Sequence, residues 1–408
     1  MRYYLVLLVW AGLIWMGGDT ATLAGEKTEE NAAATVTVKS RDELIQAVSA
    51  AKPGTKILLQ PGTYDGGLSF KNLQGEAGRP IVLGAADPQK PPVIEGGASG
   101  LHLTDPAYVE LQDLVIAKAR GNGLNIDDGG SYDTPAHHVV LRRLVVRDIG
   151  SDANHDGLKL SGLDDFAIEE CTVERWGKSG SAIDMVGCHN GSLSSCTIRE
   201  GDAMNANGVQ MKGGSRDISL LQCRFENAGG RGVNIGGSTG IPYFRPKPQG
   251  YEAKDITVED CTFLGSMAPI AFVGVDGAHV HHNTFYRPTR WLLRILQENQ
   301  DAQFSPCRNV RFQNNIVAFR AGEVATAVNI GAHTSPETFE FAGNHWYSED
   351  RPERTQRLVQ LPTAEKGGVY GQDPQFENAA KGNLELKSGS PAKSASRRAK
   401  KLPYAEKN

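Results

Sequence analysis

A four-residue phrase returns along the middle of this chain: Glu170-Cys171-Thr172-Val173, Ser195-Cys196-Thr197-Ile198, Gln222-Cys223-Arg224-Phe225, Asp260-Cys261-Thr262-Phe263 and His282-Asn283-Thr284-Phe285. The second position recurs at intervals of 25, 27, 38 and 22 residues, and fainter copies sit at Asp113-Leu114-Val115, Arg143-Leu144-Val145 and Asn314-Asn315-Ile316. Each unit is too short to bury an apolar face alone, so neighbouring units must stack into a solenoid.

Between copies lies a second phrase that alternates at the strand period of two: Gly123-Leu124-Asn125-Ile126, Gly157-Leu158-Lys159-Leu160, Ala182-Ile183-Asp184-Met185, Gly208-Val209-Gln210-Met211 and Gly232-Val233-Asn234-Ile235, continuing through Ala271, Arg294 and Asn329. Helical spacing is missing from the repeats, which disfavours leucine-rich and ankyrin-type units. The chain resembles the right-handed parallel β-helix proteins, the pectate-lyase-like superfamily. That resemblance implies an all-β, single-stranded right-handed parallel β-helix. Equivalent residues of successive coils then lie about 4.8 Å apart. In such a ladder Asn amides can bond one another, and Cys171, Cys196, Cys223 and Cys261 are expected as packed thiols. Parallel side chains are badly aimed for disulfides. Cys188 and Cys307 lie outside the column, and the sequence does not pair them.

The ends frame this body. Arg2 precedes an apolar run from Tyr3 to Met16, with small residues up to Ala24, so residues 1–24 read as a secretory signal and the protein as periplasmic or extracellular. Residues 25–35 form a polar lead-in, 36–395 the β-helix domain and 396–408 a basic tail. Leu44, Ala47, Val48 and Ala51 at helical spacing predict a capping helix over the open N-terminal end. The opening stretch, with Pro53-Gly54-Thr55, Pro61-Gly62-Thr63-Tyr64 and Pro80-Ile81-Val82-Leu83, is similar to polysaccharide lyases of family six, the alginate lyase and chondroitinase B type. With a net charge of −4, no nucleic-acid partner is expected. No membrane association is expected after signal removal, and the protein reads as a monomer.

In the β-helix superfamily, as the resemblance implies, ligands lie along the outer face of the sheet formed by the alternating phrase. Its outward ladder runs Asn125, Lys159, Asp184, Gln210, Asn234, Ala271, Arg294 and Asn329; three residues earlier lie Asp156, Ser181, Asn207, Arg231 and Trp291, and two later Asp127 and Lys212. Cations with few carboxylates suit an anionic, hydroxyl-rich ligand, although any solvated sheet is polar outside. Lys159 beside Asp184 also fits an ordinary cross-strand ion pair. Lys159, Lys212, Arg231 and Arg294 are the candidate catalytic residues, with Asp184, Gln210, Asn234, Tyr243, Tyr251 and Trp291 as candidate substrate contacts. Tyr243 and Tyr251 sit in the long connection 236–253, where aromatic rings either stack on sugars or plug a neighbouring coil. Asp152, Asn154 and Asp156 precede a Gly turn as in the first half of a calcium loop, which makes Ca²⁺ a candidate cofactor; Leu163 stands where an EF-hand needs Glu. His279 and His281 share another outer face, where a metal-binding pair is an alternative to the expected solvated histidines.

Phosphate-loop, Gly-x-Ser-x-Gly and His-Glu-x-x-His motifs are absent. The expected function is β-elimination on an acidic, uronate-containing polysaccharide by a secreted lyase-like enzyme. Two alternatives stay open: a glycoside hydrolase using Asp156 with Asp184, and a non-catalytic carbohydrate-binding module.

Overall fold

A computed structural model describes residues 34–131, 133–150, 153–201 and 203–396. The proposed signal segment, almost all of the basic tail, and Asp152 fall outside the described residues. The body is a right-handed parallel β-helix whose coils each contribute a strand to three long parallel sheets, of ten, twelve and twelve strands. Within a coil the chain passes from the ten-stranded sheet, which carries the alternating phrase, to a second sheet and then a third. Strands Ser181–Val186, His189–Ser194 and Thr197–Gly201 make one such coil.

The recurring four-residue phrase is the corner between the second and third sheets. Its first residue is left-handed in every copy, with φ of 54° at Glu170 and Ser195, 53° at Gln222 and Asp260 and 56° at His282. That single αL residue turns the strand sharply and directs the next side chain inward. Where that side chain is Asn, the ladder is a closed hydrogen-bond chain. Asn315 Oδ1 accepts from Asn283 N and Nδ2, both at 3.0 Å, and Asn344 Oδ1 accepts from Asn315 N at 2.9 Å and Nδ2 at 3.0 Å. Glu365 ends the series by accepting from Asn344 N and Nδ2. Where it is Cys, the thiol points at a strand carbonyl, as from Cys196 Sγ to Ile168 O at 3.4 Å, and all six cysteines are free and buried. Cys188 and Cys307 join this reduced, buried set.

At the entry to the ten-stranded sheet, Gly208 lies where an added Cβ would be 2.3 Å from the Gly232 carbonyl oxygen, and a Cβ on Gly157 would meet Val173 in the core. The residue after each of these is also inward, so the residue before them reaches the outer face, which accounts for the flanking ladder. Inside, Phe225, Phe263 and Phe285 stack with centroids 4.5 and 4.8 Å apart. The predicted capping helix is Arg41–Ser49: Ser40 caps it by accepting from Glu43 N, and its Leu44, Ala47 and Val48 are buried in the core at that end. At the other end Phe376, Leu386, Ala392 and Ala395 fold back onto Ile316 of the third sheet.

Candidate functional site on the ten-stranded sheet

Strand register places the predicted ladder as read: Asn125, Lys159, Asp184, Gln210, Asn234, Ala271, Arg294 and Asn329 are consecutive cross-strand partners. His102, in register with Asn125, extends it by one coil, and its Nε2 contacts the Asp127 carboxylate. The sequence reading missed His102, although Leu101-His102-Leu103 carries the same alternation.

An outward ladder on a solvated sheet is exposed, yet Asp156, Ser181, Asp184, Gln210, Asn234 and Ala271 are buried. They are covered by their own charged neighbours. Lys159 pairs with Asp184 and lies 3.6 Å from the Asp156 carboxylate. Lys212 Nζ is 3.3 Å from Asp184 Oδ1, which accepts no hydrogen bond, and donates to Gln210 Oε1 at 3.2 Å. Arg231 bonds Asn234 Oδ1 at 3.1 Å and Glu298 at 2.6 Å. Arg294 donates to Asn329, and its guanidinium, like that of Arg290, lies over the Trp291 ring at 4.2 and 4.3 Å respectively.

Two protonation states follow from this packing. Burial opposes the charge of Lys159, but the Asp184 and Asp156 carboxylates outweigh it and hold the ammonium above the ordinary lysine value. Burial and then the Asp184 charge push Asp156 up to about 6, with Lys159 pulling the other way. Burial first, and then Arg231, lower Arg294. The site therefore joins a firmly protonated lysine to a carboxyl group that titrates near neutrality.

The long connection is pinned rather than free. The buried Glu252 accepts from Gly213 N, Thr239 N and Thr239 Oγ1, and the buried Arg245 reaches Asp164, His189 and Gly187 O. Gly237 lies against Lys212 and Gln210, so the loop starts at the stripe. Its tip residue Tyr243 is 70% exposed. Tyr251 is buried away from the stripe, beside Lys254 of the second sheet, because it stands two residues before strand Ala253–Glu259 there. Its place among the substrate contacts is corrected accordingly; with Phe244, which packs on Phe304, it serves as the plug. Gln297 turns inward to Cys307 N.

The described part of the calcium motif does not fit a cation. Asn154 is exposed, and Asp156 turns its carboxylate to Ser181 N at 2.7 Å and to the Lys159 ammonium. A hollow of about 490 Å³ lies elsewhere, at the corner lined by Arg175, Trp176, Lys178 and Glu200.

Comparison with known proteins agrees with the architecture. Residues 94–285 match the family described as right handed beta helix region. This chain shares the right-handed β-helix fold of that family. No curated protein sequence matches it. Similar solved β-helix structures include pectate lyase Pel9A, at 13% identity and TM-score 0.55, covering 88% of this chain and 91% of that one. The alginate lyase from Paenibacillus sp. str. FPU-7 is 16% identical, with TM-score 0.50 and coverage of 74% and 100%. A GH136 lacto-N-biosidase from Eubacterium ramulus is 12% identical, with TM-score 0.51 and coverage of 84% and 68%. Identities this low establish the shared β-helix and leave the chemistry to the site. Among the described residues, no helix is long and apolar enough to cross a membrane.

Proposed function

We propose that this β-helix protein is a secreted enzyme that cleaves an acidic, uronate-containing polysaccharide by β-elimination on the outer face of the ten-stranded sheet. The observation that carries the proposal is the row of cations, Lys159, Lys212, Arg231 and Arg294, laid over a stripe of buried polar residues. Such a row can neutralise successive carboxylates of an extended chain. The similar structures named alginate lyase and pectate lyase set the polymers to try first.

In β-elimination a base removes the C5 proton, the released electron pair forms the C4–C5 double bond, the C4–O bond breaks, and the leaving oxygen takes a proton. Lys159, held protonated between two carboxylates, suits charge neutralisation or donation to the leaving oxygen. The base then falls to Lys212, which has one carboxylate contact. Arg231 and Arg294 serve flanking uronates, Gln210 and Asn234 form the floor, and Tyr243 and Trp291 offer rings to sugars. The decisive assay is ultraviolet absorbance from unsaturated uronate ends with alginate, polygalacturonate and chondroitin. Activity that falls at least about a hundredfold in Lys212→Ala supports the base assignment; no absorbance on any uronate polymer overturns the lyase reading.

One observation favours a second reading. Asp156 and Asp184 touch the same ammonium, and burial with the Asp184 charge pushes Asp156 up to about 6, which suits a hydrolase acid standing beside a second carboxyl group. New reducing ends without ultraviolet absorbance would select it.

A further inference from the structure

The second sheet holds a cluster that the proposed reaction does not use. Strand Val275–His281 is followed by His282, a left-handed corner residue with φ 56°. Successive side chains on a strand leave opposite faces. The positive φ swings His282 back beside His281, so that their Nδ1 atoms lie 2.8 Å apart. In register with His281 on the adjoining strand is Glu259, with Oε1 4.0 Å from His281 Nδ1. The ligand atoms of all three lie within 4.8 Å of one another, and all three residues are half-buried.

A positive φ also brings a histidine pair together inside strand Ala136–Arg142, where φ is 54° at His138 and the Nδ1 atoms of His137 and His138 are 2.9 Å apart. There the Tyr108 ring stacks on His138 at 4.4 Å. Among the described residues, a carboxylate joins a histidine pair only at Glu259.

We propose that Glu259, His281 and His282 form a binding site for a divalent transition-metal ion of the zinc type, which clips two successive coils together. Two imidazole nitrogens at this separation subtend a single ion at bonds of about 2.0–2.1 Å, and the Glu259 carboxylate closes by side-chain rotation. An ion seated here replaces the one proton that the two nitrogens share. Two nitrogens and one oxygen form a borderline donor set that suits zinc, copper or nickel, whereas calcium requires six or more oxygens. Three protein ligands leave a fourth position for water. His279, whose ring lies 3.9 Å from that of His281, packs against the imidazole and fixes its plane.

The test is calorimetric titration of the purified full chain with Zn²⁺ and separately with Ca²⁺, alongside thermal unfolding with each ion. The proposal expects about one equivalent of Zn²⁺, a Zn²⁺-dependent rise in Tm by linkage, and no comparable response to Ca²⁺. Glu259→Gln and His282→Asn, the latter chosen because Asn tolerates αL, should weaken Zn²⁺ at least about tenfold. Both variants should unfold like the parent when no metal is added. Bound Co²⁺ should give visible d–d absorption that His282→Asn abolishes. Absence of Zn²⁺ binding, binding unchanged in His282→Asn, or binding lost instead in His138→Asn overturns the proposal.

Discussion

Asp156 shows how a single residue's chemistry depends on what the coils bring beside it. Its folded pKa of about 6 is raised from 3.8, so the fold favours its protonated form. Stability from this group is fully present below about 4 and is lost as pH rises through about 6. Asp156→Asn keeps an acceptor for Ser181 N and removes the titration. Relative to the parent, the variant should therefore gain on the order of 2 kcal/mol between pH 4 and 7, measured as the difference in urea unfolding between the two proteins. The carboxylates that surround Lys159 were legible in the sequence as ladder neighbours. That they hold Lys159 protonated was not, because charge state depends on burial, which the alternation of apolar and polar residues does not report. His102 escaped notice, and the pairing of Glu298 with Arg231 was not foreseen, for different reasons. His102 lies in a coil before the strong repeats begin, and Glu298 joins Arg231 across 67 residues of sequence.

Among the elements, the corner ladder and the pinned loop make distinct predictions. Asn315 is fully buried and donates to Val280 O and Asn344 Oδ1 while accepting two bonds from Asn283. Asn315→Ala leaves those partners unsatisfied and should cost about 3 kcal/mol in chemical denaturation. Asn315→Cys should cost less, because the same corner holds Cys in four earlier coils. Arg245 ties the long connection to Asp164 and His189, so Arg245→Ala should loosen the stretch that carries Tyr243 and that starts with Gly237 against Lys212. If the proposed reaction is correct, KM should rise several-fold with a smaller change in kcat, and proteolytic nicking within 237–252 should quicken. The interval of 38 residues announced this loop, and its aromatic residues divided between exposed and buried roles. Only the packed structure separated Tyr243 from Tyr251, since the loop crosses from one sheet to another and no local pattern records where it crosses.

For the whole molecule, six buried free thiols replace any disulfide framework, and burial pushes Cys188 and Cys307 up to about 12. Reducing agent should leave Tm unchanged within error, and a thiol reagent should label the native chain far more slowly than the urea-unfolded one. A reducing-agent-dependent fall in Tm would contradict this arrangement. The sequence by itself determined the solenoid, its register and which residues share the outer ladder, because a parallel stack repeats one local conformation and any strand slip would send apolar side chains outward. Only the tertiary structure decided which of those outward residues are buried, which carry a proton, and that a corner with positive φ sets His282 against His281 and Glu259. Those properties arise from side chains of different coils meeting across the ladder, and their distances and shielding from water are written in no single repeat.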